Sequence, residues 1–131
     1  MFFGTYPNIK VDKRRLSLPK KIRSELLGDK VVLTSGFDDG CIFGYEENIW
    51  QETSKAELVN PIKDAQSRKT RRQMFAEASI EDLDEHGRTI IPQNLAEIAQ
   101  LKEEVLIIGA GDHFEIWDSK NWEEYKKQTN I

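Results

Sequence analysis

The chain has 131 residues, 32% charged and 38% hydrophobic, with a formal net charge of −4. This is enough apolar mass for one core, but the longest apolar runs, such as Val105–Ile108, are far short of the roughly 20 residues a membrane span needs. The single Cys41 excludes an internal disulfide, and the start MFFGTY lacks the basic and long apolar regions of a secretory signal, so a cytoplasmic location is expected.

In chain order, Ile9 and Val11 alternate with Lys10, the period-2 pattern of a half-buried strand. A charged turn, DKRR at 12–15, leads into RLSLP, where Pro19 opens a short helix, KKIRSELLG, that Gly28 closes. Strands are predicted at VVLT (31–34) and CIFGY (41–45), joined by the turn SGFDDG. The stretch that follows is rich in Ala, Glu, Lys, Gln and Arg. It reads as two helices, near 46–58 and 61–77, broken at Asn60-Pro61. In the second of these, Ile62, Ala65, Lys69, Arg72 and Ala76 share one stripe, expected to pack against the barrel or a neighbouring subunit with its arginines outward. The turn DEHGR (84–88), the segment RTIIP, a helix in QNLAEIAQL after Pro92, and strands at VLII (105–108) and FEIW (114–117) complete the chain.

The order strand, charged turn, strand, Pro-started helix, strand, turn, strand, aromatic helix therefore occurs twice. Even the aromatic spacing repeats: Tyr45 precedes Trp50 by five residues, and Trp117 precedes Trp122 by five. We take residues 1–131 as a single domain, with repeats at 1–58 and 79–131 and a connecting helix at 59–78. Deleting one residue from the first turn pairs Asp12 with Asp84 and Val11 with Leu83, which preserves the strand alternation. The first turn then lacks the glycine of the second.

Net acidity argues against a polyanionic partner, but the distribution of charge does not. Seven cations lie between Ile9 and Arg23 (Lys10, Lys13, Arg14, Arg15, Lys20, Lys21 and Arg23) beside one anion, Asp12. A second cluster is Arg68, Lys69, Arg71 and Arg72, while acids gather at 81–85 and 103–104. What governs binding is the local field of one face, because distant charges are screened. Other chemistry finds little support. His86, His113 and Cys41 lack zinc-site spacing. GAGDH is too short for a phosphate-binding fingerprint. Ser17 and Thr89 have no partnered histidine for nucleophilic catalysis. No catalytic residue, metal or cofactor is expected.

The phrases MFFGTY, RLSLPKKIR, DEHGRTIIP and GDHFEIWDSKNWEEY together resemble the MraZ family of bacterial transcriptional regulators, which share the swapped-hairpin fold of AbrB-like DNA-binding domains. The resemblance implies an α+β fold: mainly a β barrel of AbrB/MraZ swapped-hairpin type, built from two pseudo-symmetric repeats with short helices. It implies double-stranded DNA and copies of the same chain, in ring-like homo-oligomers, as partners. It also implies nucleoid association and action at the promoter of the protein's own division and cell-wall gene cluster. The DNA-binding residues it indicates are Lys10, Lys13, Arg14, Arg15 and, by position, Arg88, with Asp12 and Asp84 supporting the turns. Because acids surround Arg88, we expect it to pin its own turn by pairing with Asp84, while Arg15 faces DNA. The competing expectation is a protein-interaction or scaffold module whose basic strip binds an acidic partner.

Overall fold

The computed structural model describes residues 1–131. Its strands are β1 (Thr5–Lys10), β2 (Arg15–Ser17), β3 (Lys30–Ser35), β4 (Ile42–Tyr45), β5 (Ser79–Asp82), β6 (Arg88–Ile90), β7 (Glu104–Gly109) and β8 (Phe114–Asp118). Its α-helices are α1 (Lys20–Arg23), α2 (Glu47–Glu57), α3 (Ala65–Arg71), α4 (Gln93–Ile98) and α5 (Ser119–Thr129). Every strand and Pro-started helix read from the sequence is present, the helices shorter than the patterns implied.

Six strands form one antiparallel sheet in the order β1-β7-β8-β4-β3-β5, and β2 pairs with β6 in a separate ribbon. The repeats exchange strands. β1 pairs with β7 of the second repeat, β5 pairs with β3 of the first, and β4 and β8 join at the centre. The expected barrel does not close: β1 and β5 are the edges of the six-stranded sheet, and the ribbon, though it touches both, is not hydrogen-bonded into the ladder of either. What the structure does have is a duplicated, mostly antiparallel sheet with short helices.

Neither repeat could bury its apolar face alone. A cluster of 15 buried residues draws on both, with Leu18, Ile22 and Leu33 from the first and Ile91, Leu95 and Ile107 from the second. These six are pseudo-symmetric counterparts, so the duplication extends into the core. Side-chain caps repeat too: Glu46 accepts the Asn48 and Ile49 N–H groups at the start of α2, and Asp118 accepts that of Asn121 at the start of α5. Each satisfies donors that a helix start leaves orphaned.

The helical connection differs from expectation on its packed face. α3 continues into a π-helical turn, Arg72–Ala76, and its buried residues are Ser67 and Met74. The residues of the expected stripe are exposed, Ile62 at 63%. Beyond Arg71 the extra residue of the π turn shifts the phase of the helix and brings the Met74 carbonyl to the Thr34 hydroxyl at 2.9 Å. The arginines do not simply face outward either. Arg68 donates to the carbonyls of Ile62 and Lys63, and Arg71 to that of Asn60, so both clamp the turn between α2 and α3. No helix is long and apolar enough to cross a membrane.

Candidate nucleic-acid interface

The two charged turns lead into β2 and β6, and the pairing of these strands decides where the arginines go. The register sets Arg15 opposite Ile90, Leu16 opposite Thr89, and Ser17 opposite Arg88. Leu16 and Thr89 point inward and are buried, so the alternate residues Arg15, Ser17, Arg88 and Ile90 all face out. Two arginines 73 positions apart in sequence thus share one face of a six-residue ribbon.

The turns themselves have different geometries. In the first, the Arg15 N–H donates to the Asp12 carbonyl at 2.9 Å, and Lys13 and Arg14 have φ of 51° and 63°. Left-handed backbone at both central positions is a type I′ turn, which normally takes Asn-Gly. Here each non-glycine residue carries roughly 1 kcal/mol or more of backbone strain. In the second, the Gly87 N–H reaches the Asp84 carbonyl, Gly87 has φ 74°, and the Asp84 N–H donates to Arg88 O. This is a one-residue-longer turn with a glycine bulge. The alignment that pairs Val11 with Leu83 has a structural counterpart: their N–H groups donate to Glu103 O and Asp29 O, equivalent sites in opposite repeats.

The two aspartates are not equivalent. Asp84 accepts from the backbone N–H groups of Arg88 and His86, both at 2.9 Å, and from Arg88 Nε at 2.8 Å. The Arg88 N–H, the Arg88 guanidinium and the His86 N–H together hold the Asp84 carboxyl well below the usual carboxylate range, at about 2. Asp12 holds its turn through backbone bonds alone, the second running from its own N–H to Arg15 O. Because the Asp84 pKa is depressed on folding, its contribution to stability is present at neutral pH and lost as pH falls through that value. We expect Asp84→Ala to lower Tm at pH 7. The difference from the parent should close between roughly pH 4 and pH 2, in thermal melts across that range.

Beside the ribbon lies an open concavity of about 340 Å³ lined by Lys10, Asp12, Lys13, Arg15, Leu16, Ser17 and Arg88. Four of the five expected DNA-binding residues meet there. Lys10 has Glu104 at 3.4 Å and Arg88 has Asp84 at 2.8 Å, whereas Lys13 and Arg15 have no carboxylate partner. Arg14 is not brought to the cleft. Its Nη1 donates to the Ile91 carbonyl at 2.8 Å, and it lines a different groove, with Gln93, Ala96 and Glu97 of α4.

The structure brings Arg15 and Arg88, separated by charge in the sequence, to one place. Arg88 does pair with Asp84, yet it lines the same cleft as Arg15. Acids next to it in sequence point elsewhere: Asp82 pairs with Lys30 and Glu85 with His86.

The residues weighed for metal binding lie apart. His86 is on an exposed turn, Cys41 is buried, and His113 sits between Asp112 and Glu115 with its ring 4.1 Å from that of Phe43. The repeated aromatic pairs pack together, with Tyr45 and Trp50 at 5.3 Å between centroids and Trp117 and Trp122 at 5.1 Å.

Fold and site together define a duplicated, mostly antiparallel β protein whose repeats exchange strands and whose surface carries a cationic two-stranded ribbon. Comparison with known proteins specifies the family. The family model described as "MraZ protein, putative antitoxin-like" matches the chain twice, over residues 1–73 and 74–131. A relative from Lactiplantibacillus plantarum is 39% identical over 130 residues, covering 98% of this chain and 90% of its own length. One from Acetivibrio thermocellus is 38% identical over 131 residues, covering 100% and 90%. One from Roseiflexus sp. (strain RS-1) is 38% identical over 123 residues, covering 94% and 85%. All three relatives carry the name "Transcriptional regulator MraZ". The chain belongs to the MraZ family.

Proposed function

We propose that this chain is a sequence-specific DNA-binding transcriptional regulator that presents the β2–β6 ribbon to the major groove. The observation that carries this reading is the ribbon register, which sets Arg15 and Arg88 on one exposed face beside Lys10 and Lys13. A major groove about 12 Å wide admits a two-stranded ribbon, and an arginine can grip guanine O6 and N7 in a two-pronged contact. Arg15, with no carboxylate partner, is the base-reading residue; Lys10 and Lys13 meet phosphates. Arg88 has one side of its guanidinium occupied by Asp84, so it supports the turn first and lends its remaining nitrogens to the cleft.

Membership of the MraZ family supports one target. The protein acts at the promoter of its own division and cell-wall gene cluster, in the cytoplasm and on the nucleoid. One cleft is a small footprint, since specific sites usually bury about 1,000 Å² or more of protein. A ring-like homo-oligomer would set several clefts on successive copies of a short repeated DNA site and multiply avidity. A gel shift with DNA upstream of the protein's own gene, run against excess unrelated duplex, tests the reading. A shifted band that survives competitor is expected. No shift, together with retention on an acidic protein partner, would favour an interaction module instead.

A further inference from the structure

Where the second turn has Gly87 the first has Arg14, and where α4 has Ala96 α1 has Arg23. In the second turn, Gly87 accepts the Leu18 N–H at 3.0 Å, and the space a side chain would occupy there is filled by Arg23 of α1. A Cβ at Gly87 would lie 2.1 Å from Arg23 Cδ and 2.2 Å from its Nη1. In the first turn, Arg14 accepts the Ile91 N–H at 2.7 Å, the pseudo-symmetric bond. There the guanidinium comes from the turn itself, and the helix residue four positions after the proline, Arg23 in α1, is Ala96 in α4. One guanidinium therefore lies on each turn–helix seam, and the first repeat supplies both, from its turn at one seam and from its helix at the other.

These seams adjoin the two ends of the ribbon. The Arg14–Ile91 bond follows directly on the Arg15/Ile90 pair, and the Gly87–Leu18 bond on the Ser17/Arg88 pair. A ribbon of two three-residue strands is marginal by itself, and a slip of one residue would turn Arg15 and Arg88 inward. Neither seam arginine lines the cationic cleft. Arg23 Nε is buried with no hydrogen-bond partner, shut in against the turn it covers.

We propose that Arg14 and Arg23, both from the first repeat, are positioning residues that lock the register of the β2–β6 ribbon at its two ends, and that neither contacts nucleic acid. The proposal rests on the reading of that ribbon as the DNA surface. Its test uses the full chain with Arg14→Met and Arg23→Met, which keep an apolar stem and remove the guanidinium, and Arg15→Ala as reference. Affinities for the upstream duplex and an unrelated duplex are measured by fluorescence anisotropy over a salt series, and amide exchange by NMR.

Each Met variant should lose about two- to tenfold in affinity for the upstream duplex, Arg14→Met through one lost hydrogen bond and Arg23→Met through the lost cover over the Gly87 turn. Binding to unrelated duplex and the slope of log K against log salt should stay as in the parent, while Leu18 and Ile91 amides exchange faster. A slope reduced by about 0.9 in either variant would make that arginine a phosphate contact and overturn the proposal; so would parental discrimination between the duplexes. If the parent itself does not discriminate, or Arg15→Ala binds as the parent does, the DNA reading fails separately. Amide exchange at Leu18 and Ile91 then decides the lock alone, parental protection overturning it. Should Arg23→Met not fold, Arg23→Lys must still show faster exchange at Leu18, and parental protection there overturns the role of Arg23.

Discussion

Replacing Lys10, Lys13 and Arg15 together with glutamate will abolish binding to promoter DNA and leave the fold intact. All three side chains are exposed, and together they form the cationic wall of the cleft beside the ribbon. None belongs to the core cluster, and Lys10 has only a surface ion pair with Glu104, of a kind worth roughly 0–1 kcal/mol. Each phosphate that a cation no longer neutralises takes about 0.9 off the slope of log K against log salt, and reversing the charges adds repulsion. Arg14 is left out of this set because its guanidinium is engaged by the Ile91 carbonyl. Anisotropy titrations at several salt concentrations, with circular dichroism on the same samples, check the result. Binding retained by a folded triple variant would move the interface away from the ribbon.

The largest effect on stability is expected where the two repeats meet. Phe114 in β8 is fully buried, packs edge-on against Phe2 at 5.3 Å, and fills the space over Gly44 in the paired strand β4. Truncating such a ring removes its transfer energy and leaves a cavity that strands on both sides keep open. Phe114→Ala should cost about 3–5 kcal/mol, a large share of the roughly 5–15 kcal/mol that holds a domain folded. Gly44→Ala should also destabilise, because its Cβ would lie 2.2 Å from the Phe114 ring. In the Phe114→Ala background that clash is gone, so the second substitution should add little, a coupling a double-mutant cycle reads directly. Urea melts check both expectations; additive effects would mean that Gly44 and Phe114 are independent.

Much of this architecture was legible in the sequence because it is local. Period-2 alternation marked β1, Pro19 and Pro92 marked two helix starts, and the missing residue between DKRR and DEHGR marked two different turns. The strand exchange was not legible from pattern alone, because alternation says which face is buried and nothing about which strand lies alongside. The same limit hid where Arg88 lies, though not its pairing with Asp84. Proximity in sequence surrounded it with acids, whereas pairing of β2 with β6 carries it to Arg15. Arg14 and Lys13 are adjacent in sequence, yet the type I′ turn sends Arg14 to α4 and leaves Lys13 on the cleft. Arg68 and Arg71 looked like surface charge because carbonyls left free by a broken helix have no signature in composition. Arg23 did leave a trace. Aligned by their prolines, the first repeat has Arg in the turn and on the helix where the second has Gly and Ala, so large meets small only if each turn packs on the other repeat's helix.

Arg15 carries the central claim, that the outward face of the β2–β6 ribbon reads DNA. Its side chain has no carboxylate partner and takes no part in the core, so Arg15→Ala isolates recognition from folding. The decisive measurement is the ratio of affinities for the upstream duplex and an unrelated duplex of equal length, at one salt concentration, with Tm recorded for each protein. A base-reading arginine contributes about 1–3 kcal/mol of discrimination. The ratio should therefore fall by roughly five- to 150-fold with Tm unchanged. A ratio equal to the parent's at unchanged Tm would contradict the account.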